Sequence, residues 1–294
     1  MTDGPTGSTV PRRQLGRHLR ELRNRARLTV RTAADELEWS ETKLWRIETG
    51  QTSLRSLDVE AMCRVYGAPS NLTEALMALA KETKARGWWH SYSDVIRDSL
   101  DLYLGLEDAA AQLAWYTSEL VPGLLQTKEY ARALIREGLP DASDQEIERR
   151  AEMRIARQSL LTRITAAPIV KAAFNEAVLR RPVGGREVMA AQLERLIEVA
   201  KYPNVSLRVV AFEAGLHHGV ISGPFVLMRF PTTGDGRCIE PPTVFVDGFI
   251  GALYLDKPNE VDRYDAAFEA IWSSAFDEAR SMGVLHEAAR EFRQ

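Results

Sequence analysis

The stretch Ser40–Gly50, SETKLWRIETG, gathers hydroxyls, an ammonium, a guanidinium and an indole within about two helical turns. Leu44 and Ile47 fall on one side of such a helix, and Thr42, Trp45, Arg46 and Thr49 fall on the other. Grouped donors of this kind suit base edges and phosphates, the guanidinium above all, because it bonds guanine bidentately. Upstream, Arg12–Arg27 holds seven arginines and one acid, Glu21. Leu15, Leu19, Leu22 and Ala26 recur at helical spacing there, which places Arg13, Arg17, Arg20 and Arg27 together on the opposite face. A cationic stripe confined to one segment is the electrostatic mark of a polyanion binder, and a solvated helix face is its plain alternative.

The elements that must position these groups follow from local signals. Arg12–Arg27 is a first amphipathic helix. Thr29 caps a second that runs to Leu37, with Ala33 and Ala34 small enough for another helix to cross closely. Glu38-Trp39 interrupts the chain, Ser40 caps the third helix, and Glu41 sits in its first turn, where the helix dipole favours an acid. Gly50 supplies a left-handed stop. Ser56–Tyr66 and Asn71–Lys84 complete five helices. Two short helices joined by a tight turn, the second presenting polar groups outward, form a helix-turn-helix, and the major groove of DNA admits one such helix.

At 294 residues the chain is expected to form more than one domain. The net charge of −3 hides an asymmetry: residues 1–85 hold 14 Lys/Arg against 11 Asp/Glu, and the remainder 24 against 30. The first eleven residues are polar and lack the apolar core of a signal peptide, so 1–11 is expected to be a disordered tail. No run reaches the roughly 18 consecutive apolar residues of a membrane span. The two cysteines, Cys63 and Cys238, lie far apart, which suits a reducing cytoplasm.

The segments LGRHLRELR, AADEL, WSETKLWRIETG and LDVEAMCRVYG, between them spanning about residues 12–80, resemble the Xre/Cro-type helix-turn-helix family. That resemblance implies base contacts from Glu41, Thr42 and Arg46, backbone contacts from Ser40 and Lys43, and a structural ion pair between Arg23 and Glu48. Arg13, Arg17, Thr29, Arg31, Trp45 and Thr49 complete the expected DNA-binding set. Trp45 has two readings, contact with sugar or a thymine methyl and packing on a neighbouring helix. Three positions depart from the family. Arg27 and Glu38 stand where glycine is usual, at a cost of about 1 kcal/mol each if the backbone is left-handed. Val30 replaces a polar residue that touches phosphate, and whether Arg31 substitutes for it is open.

Composition changes near Lys84–Trp89, where RGWWHSYSDV packs aromatic rings into a non-periodic stretch. Beyond it, helices are expected at Asp98–Gln112, Thr127–Gly138, Asp144–Thr162, Gly185–Lys201 and Asn259–Glu291. Strands are expected at Ala114–Leu120, Pro168–Asn175, Val205–Phe212, Phe225–Phe230, Thr243–Val246 and Ala252–Leu255. The organisation is therefore an all-α five-helix domain over 12–85, then an α+β domain over 86–294 with a mixed or antiparallel sheet. LVPGLLQTKEYARALI, EAVLRRPVGGREVMAAQLERLIEVA and SGPFVLMRFP look like the C-terminal domain of actinobacterial Xre-type regulators, the WhiJ-like group. This second resemblance implies regulation of development or antibiotic production and a small partner protein in a toxin–antitoxin-like arrangement. The insertion TTGDGRCIEPP departs from that pattern.

Catalytic signals are sparse. His217-His218 has no third ligand at a metal-type spacing, PVGG and SGP lack the strand-glycine-helix context of a phosphate loop, and Glu176 and Glu213 would pair only by the accident of folding. No enzyme activity, metal or cofactor is expected. Trp88, Trp89, Tyr92, His217 and His218 are the candidates for a ligand or partner site, although a satellite cluster of the second core accounts better for the aromatic stretch. The expectation is a cytoplasmic regulator that binds a double-stranded DNA operator as a homodimer, with a small partner protein or a small-molecule effector and no membrane.

Overall fold

A computed structural model describes residues 9–83, 88–96, 98–232, 238–249 and 251–294. The chain divides into two compact units, and neither is a single stretch of sequence. The helical unit takes in Met1–Ser91, Leu100–Ala109 and Thr232–Glu240; the remainder forms the second unit.

In the helical unit, α1 (Thr9–Arg25), α2 (Val30–Glu36), α3 (Glu41–Glu48), α4 (Ser56–Val65) and α5 (Ser70–Glu82) follow the expected order. The caps are as read: Thr29 Oγ1 accepts from Thr32 N at 3.1 Å, and Ser40 Oγ accepts from Lys43 N at 3.2 Å. Leu15, Leu19 and Leu22 of α1 bury against Ala33, Ala34, Leu44, Ile47, Val59, Met62 and Leu76. Gly16 lets α1 cross the end of α3 closely, since a Cβ there would stand 2.5 Å from the Ile47 carbonyl oxygen. Arg27 and Glu38 adopt positive φ of 58° and 55°, the left-handed turns that the missing glycines implied, and Gly50 follows at 73°.

The tail expectation needs correction at its end. Residues 1–8 lie outside the described residues, but Thr9, Val10 and Pro11 form the first turn of α1. Thr9 is buried, and its side chain fills the space above Gly105, a glycine of α6 (Asp98–Ala109). A Cβ on Gly105 would collide with Thr9.

The second unit is built on one six-stranded mixed sheet in the order β3-β2-β1-β4-β5-β6. Its strands are β1 (Gln112–Thr117), β2 (Ile169–Asn175), β3 (Val205–Val210), β4 (Phe225–Arg229), β5 (Thr243–Asp247) and β6 (Ala252–Leu255). The first three run parallel, and β4, β5 and β6 pair antiparallel. The helices are α7 (Lys128–Gly138), α8 (Asp144–Ala156), the short α9 (Ala177–Arg180), α10 (Arg186–Val199), the short α11 (His218–Ser222), α12 (Pro258–Ser274) and α13 (Glu278–Arg293). Ala114, Tyr116, Phe225, Leu227 and Val244 pack with Phe268, Ile271 and Trp272 of α12.

Two helix expectations change. The segment read as one helix over Asp144–Thr162 tightens into a 3-10 turn at Arg157–Thr162. Asn259–Glu291 is two helices: the Phe276 N–H bonds Val209 O in the sheet, and Asp277 caps α13 by accepting from Arg280 N at 2.8 Å.

Candidate nucleic-acid interface

Helix α3 is short, and its orientation is fixed from below. Leu44 and Ile47 are buried, whereas Glu41, Thr42, Lys43, Trp45 and Arg46 are exposed. The far end is anchored by Glu48, whose two carboxylate oxygens take Arg23 Nε at 2.6 Å and its Nη2 at 2.8 Å. Both partners are buried, so each charge depends on the other. The hydrogen bond that Arg23 donates to Glu48 holds the guanidinium pKa above its ordinary value, against the opposing effect of burial. The pair is structural, in line with the family resemblance.

Among the outward groups, Arg46 makes no ion pair among the described residues. The Lys43 ammonium rests 3.5 Å from the centroid of the Trp39 ring, a cation–π contact that leaves it at the surface. Trp45 is 52% exposed, so of its two readings packing on a neighbouring helix is the poorer fit. Thr49 Oγ1 donates to Trp45 O at 2.8 Å and helps close the helix end. Ser40 and Thr29 are exposed, but both hydroxyls serve as N-caps, and Arg31 is exposed on α2.

The arginine stripe of α1 is not uniform. Arg20 and Arg27 are exposed, but Arg13 and Arg17 are turned to Glu240 in the departing insertion. Their expected role as phosphate anchors is corrected for this structure: both guanidiniums hold a protein carboxylate, and Arg13 is buried. Sequence reasoning missed Glu240. Only its position in an insertion between two strands hinted at a special role.

The ligand candidates separate. Trp89 is fully buried in the helical unit and donates from Nε1 to Asp101 Oδ1 at 2.7 Å; Trp88 meets it edge-on at 5.9 Å between ring centroids. These contacts belong to the helical unit, not to the second core in which a satellite cluster was expected. Tyr92, in the second unit, lies under the Arg149 guanidinium at 4.3 Å. His217 is buried and caps α11, its Nδ1 accepting from Gly219 N at 3.1 Å, with its ring edge-on to Tyr116. Burial, and then the neighbouring His218, lower its pKa below the usual value. His218 instead borders an open cavity of about 560 Å³ lined also by Ile221, Leu255, Glu260, Arg263 and Tyr264. Within the second unit, neither Tyr92 nor His217 is among its lining residues. Glu176 and Glu213 are also occupied, by the Phe212 N–H and by Arg280 respectively.

Among the described residues no three His, Cys, Asp or Glu side chains group so as to hold a metal ion. Among them, too, no helix is long and apolar enough to cross a membrane.

Comparison with known families agrees with this geometry. Residues 14–76 match a helix-turn-helix domain, a finding that supports a DNA-binding regulator and spans α1 to α5. No curated protein and no solved structure matches the chain. Residues 100–287, more than half of the sequence, match a domain of unknown function, DUF5753, and the chain therefore belongs to the DUF5753 family.

Proposed function

We propose that this chain is a sequence-specific transcriptional regulator of the cytoplasm that reads DNA with α3. The observation that carries the reading is the division of that helix. Leu44, Ile47 and Glu48 bury its inner side and end, while Thr42, Lys43, Trp45 and Arg46 face solvent from a rigid mount. Thr42 and Arg46 read base edges; Ser40, Lys43 and the exposed arginines Arg20, Arg27 and Arg31 hold phosphates. The regulator acts as a homodimer, because two recognition helices must reach half-sites about 34 Å apart on one face of the duplex. Its C-terminal domain acts by binding and not by catalysis, and its motifs resemble those of the WhiJ-like regulators of development or antibiotic production.

A second reading has its own support. Asp94, Glu146, Glu148 and Glu152 line a shallow cavity of about 620 Å³ with Arg149. A net acidic domain favours a small basic partner, as an antitoxin-like protein would require, and such a partner would compete with Arg149, Arg150 and Lys128, which pair with Asp94, Glu146 and Glu148. Co-purification of a neighbouring gene's product that is lost when the second domain is deleted would support it. The cavity beside His218 is in turn the place for a small-molecule effector.

Genome-wide mapping of bound sites supplies the operator, and Arg46→Ala then tests the reading helix. One bidentate arginine contact contributes about 1–3 kcal/mol of base discrimination, so the variant should lose about 5- to 150-fold of its preference for operator over unrelated duplex. Operator discrimination that survives Arg46→Ala removes that residue from the reading.

A further inference from the structure

Glu240 has no solvent-exposed surface, although it lies in an insertion rich in polar residues. Its carboxylate accepts from Arg13 Nε at 2.6 Å and from Arg17 Nη1 and Nη2 at 2.8 and 2.7 Å. Next to it, Gln14 Nε2 donates to Ile239 O at 2.5 Å. Three residues of one face of α1 thus clasp two consecutive residues of the insertion. Removing a carboxylate from water costs several kcal/mol, and these charge-assisted bonds are what offset it.

Two guanidiniums converging on one anionic group, one of them as a fork, is also the arrangement by which arginines take a phosphate. The clasp lies beside the recognition helix. Arg13 packs on Gly50, the residue that ends the α3 turn, and Gly16 crosses the last α3 carbonyls. Only Pro241 and Pro242 separate Glu240 from β5, and the fixed backbone of proline makes that link stiff. Thr243, the first residue of β5, is fully buried and donates from Oγ1 to Pro241 O at 3.1 Å. A shift of β5 therefore reaches the carboxylate with little slack.

We propose that Glu240 is an intramolecular stand-in for a DNA phosphate: seated, it withholds Arg13 and Arg17 from the duplex, and its release adds two phosphate contacts. The latch gives the DUF5753 domain a way to change DNA affinity without touching the reading residues. It rests on the DNA-binding reading above.

The test is the salt dependence of full-length protein binding a random-sequence duplex. Each phosphate neutralised adds about 0.9 to the slope of log affinity against log salt, so Glu240→Gln should steepen the slope by about 1.8. Its advantage over the unaltered chain should then shrink about tenfold between roughly 50 and 200 mM salt. Combining Glu240→Gln with Arg13→Ala and Arg17→Ala should restore the original slope. Glu240→Asp, which keeps the charge but withdraws it by one methylene, should give part of the steepening even where the glutamine variant does not fold. In the unaltered background, Arg17→Ala should leave the slope unchanged. An unchanged slope in the Glu240 variants overturns the latch, as does a slope flattened by Arg17→Ala alone. Should the unaltered chain bind while either of those results holds, only the latch falls. Should no form bind the duplex at low ionic strength, the DNA-binding reading falls with it.

Discussion

Helix α1 is gripped by two buried carboxylates, and the two grips differ in what must be folded to make them. Glu48 takes Arg23 from 25 residues away, inside the helix-turn-helix itself. Glu240 takes Arg17 from 223 residues away, across the whole β4–β5 excursion. The chemistry is alike: arginine forks at distances of 2.6–2.8 Å on buried carboxylates. Their conditions are not. The first pair closes whenever the five helices fold, and Arg23 Nη1 adds a 2.8 Å bond to Leu28 O that ties in the turn before α2. The second closes only when the chain returns to the helical unit after β4. A local ion pair serves as scaffold, and a distant one of equal geometry can serve as a switch.

Breaking the local grip should have the largest effect. Glu48→Ala leaves the Arg23 guanidinium buried without its carboxylate, at a cost of about 3–5 kcal/mol. Urea denaturation should show that loss, and DNA binding should disappear with the fold. Glu240→Gln should be milder in the same experiment, because the Arg17 side chain is already about a third exposed to water and the glutamine keeps an oxygen that can accept from it. Equal destabilisation by the two substitutions would erase the distinction between scaffold and switch.

Gly16→Ala sharpens the comparison at the point where both grips meet α3. Its Cβ would lie 2.5 Å from Ile47 O and 2.8 Å from Glu48 O, and these are backbone atoms that cannot rotate away. Overpacking of that kind costs about 1–3 kcal/mol. The loss should appear as a lowered denaturation midpoint and a displaced recognition helix, with weaker operator binding even at temperatures where the protein remains folded. An undisturbed midpoint would mean that α1 and α3 are less rigidly coupled than their contact implies.

What the sequence revealed divides along the same line. Thr29, Ser40 and Gly50 were legible because caps and turns are decided by residues within one helical turn, whereas the left-handed Arg27 and Glu38 were indicated only by the family's usual glycines at those positions. The six strands were legible as β-branched and apolar runs, whereas their order β3-β2-β1-β4-β5-β6 was not, since pairing across a crossover leaves no local mark. The end of α12 was hidden for a related reason. No glycine or proline interrupts Ser273–Asp277, and the break comes from the Phe276 N–H reaching Val209 O in the sheet. On the candidate interface, the polar face of α3 could be read from periodicity. Periodicity also put Arg13 and Arg17 on the solvent side of α1, and nothing near them in the chain announces that Glu240 lies over that side.

The smallest effect concerns the turns that frame α2. Arg27 and Glu38 hold φ of 58° and 55°, where a side chain costs about 1–2 kcal/mol relative to glycine. Glycine also gives the unfolded chain more freedom, a penalty of about 0.4–1 kcal/mol, so Arg27→Gly should stabilise by roughly 0.5–1 kcal/mol. Thermal melts at high salt should reveal the gain, because screening there removes any change in charge repulsion among the arginines of α1. At low salt the same variant should bind nonspecific duplex slightly less well, since an exposed cation has gone. Stability and DNA affinity would then move in opposite directions from one residue, and that marks Arg27 as retained for its charge. A variant that loses stability instead would show that the Arg27 side chain contributes more to the fold than its exposed position indicates.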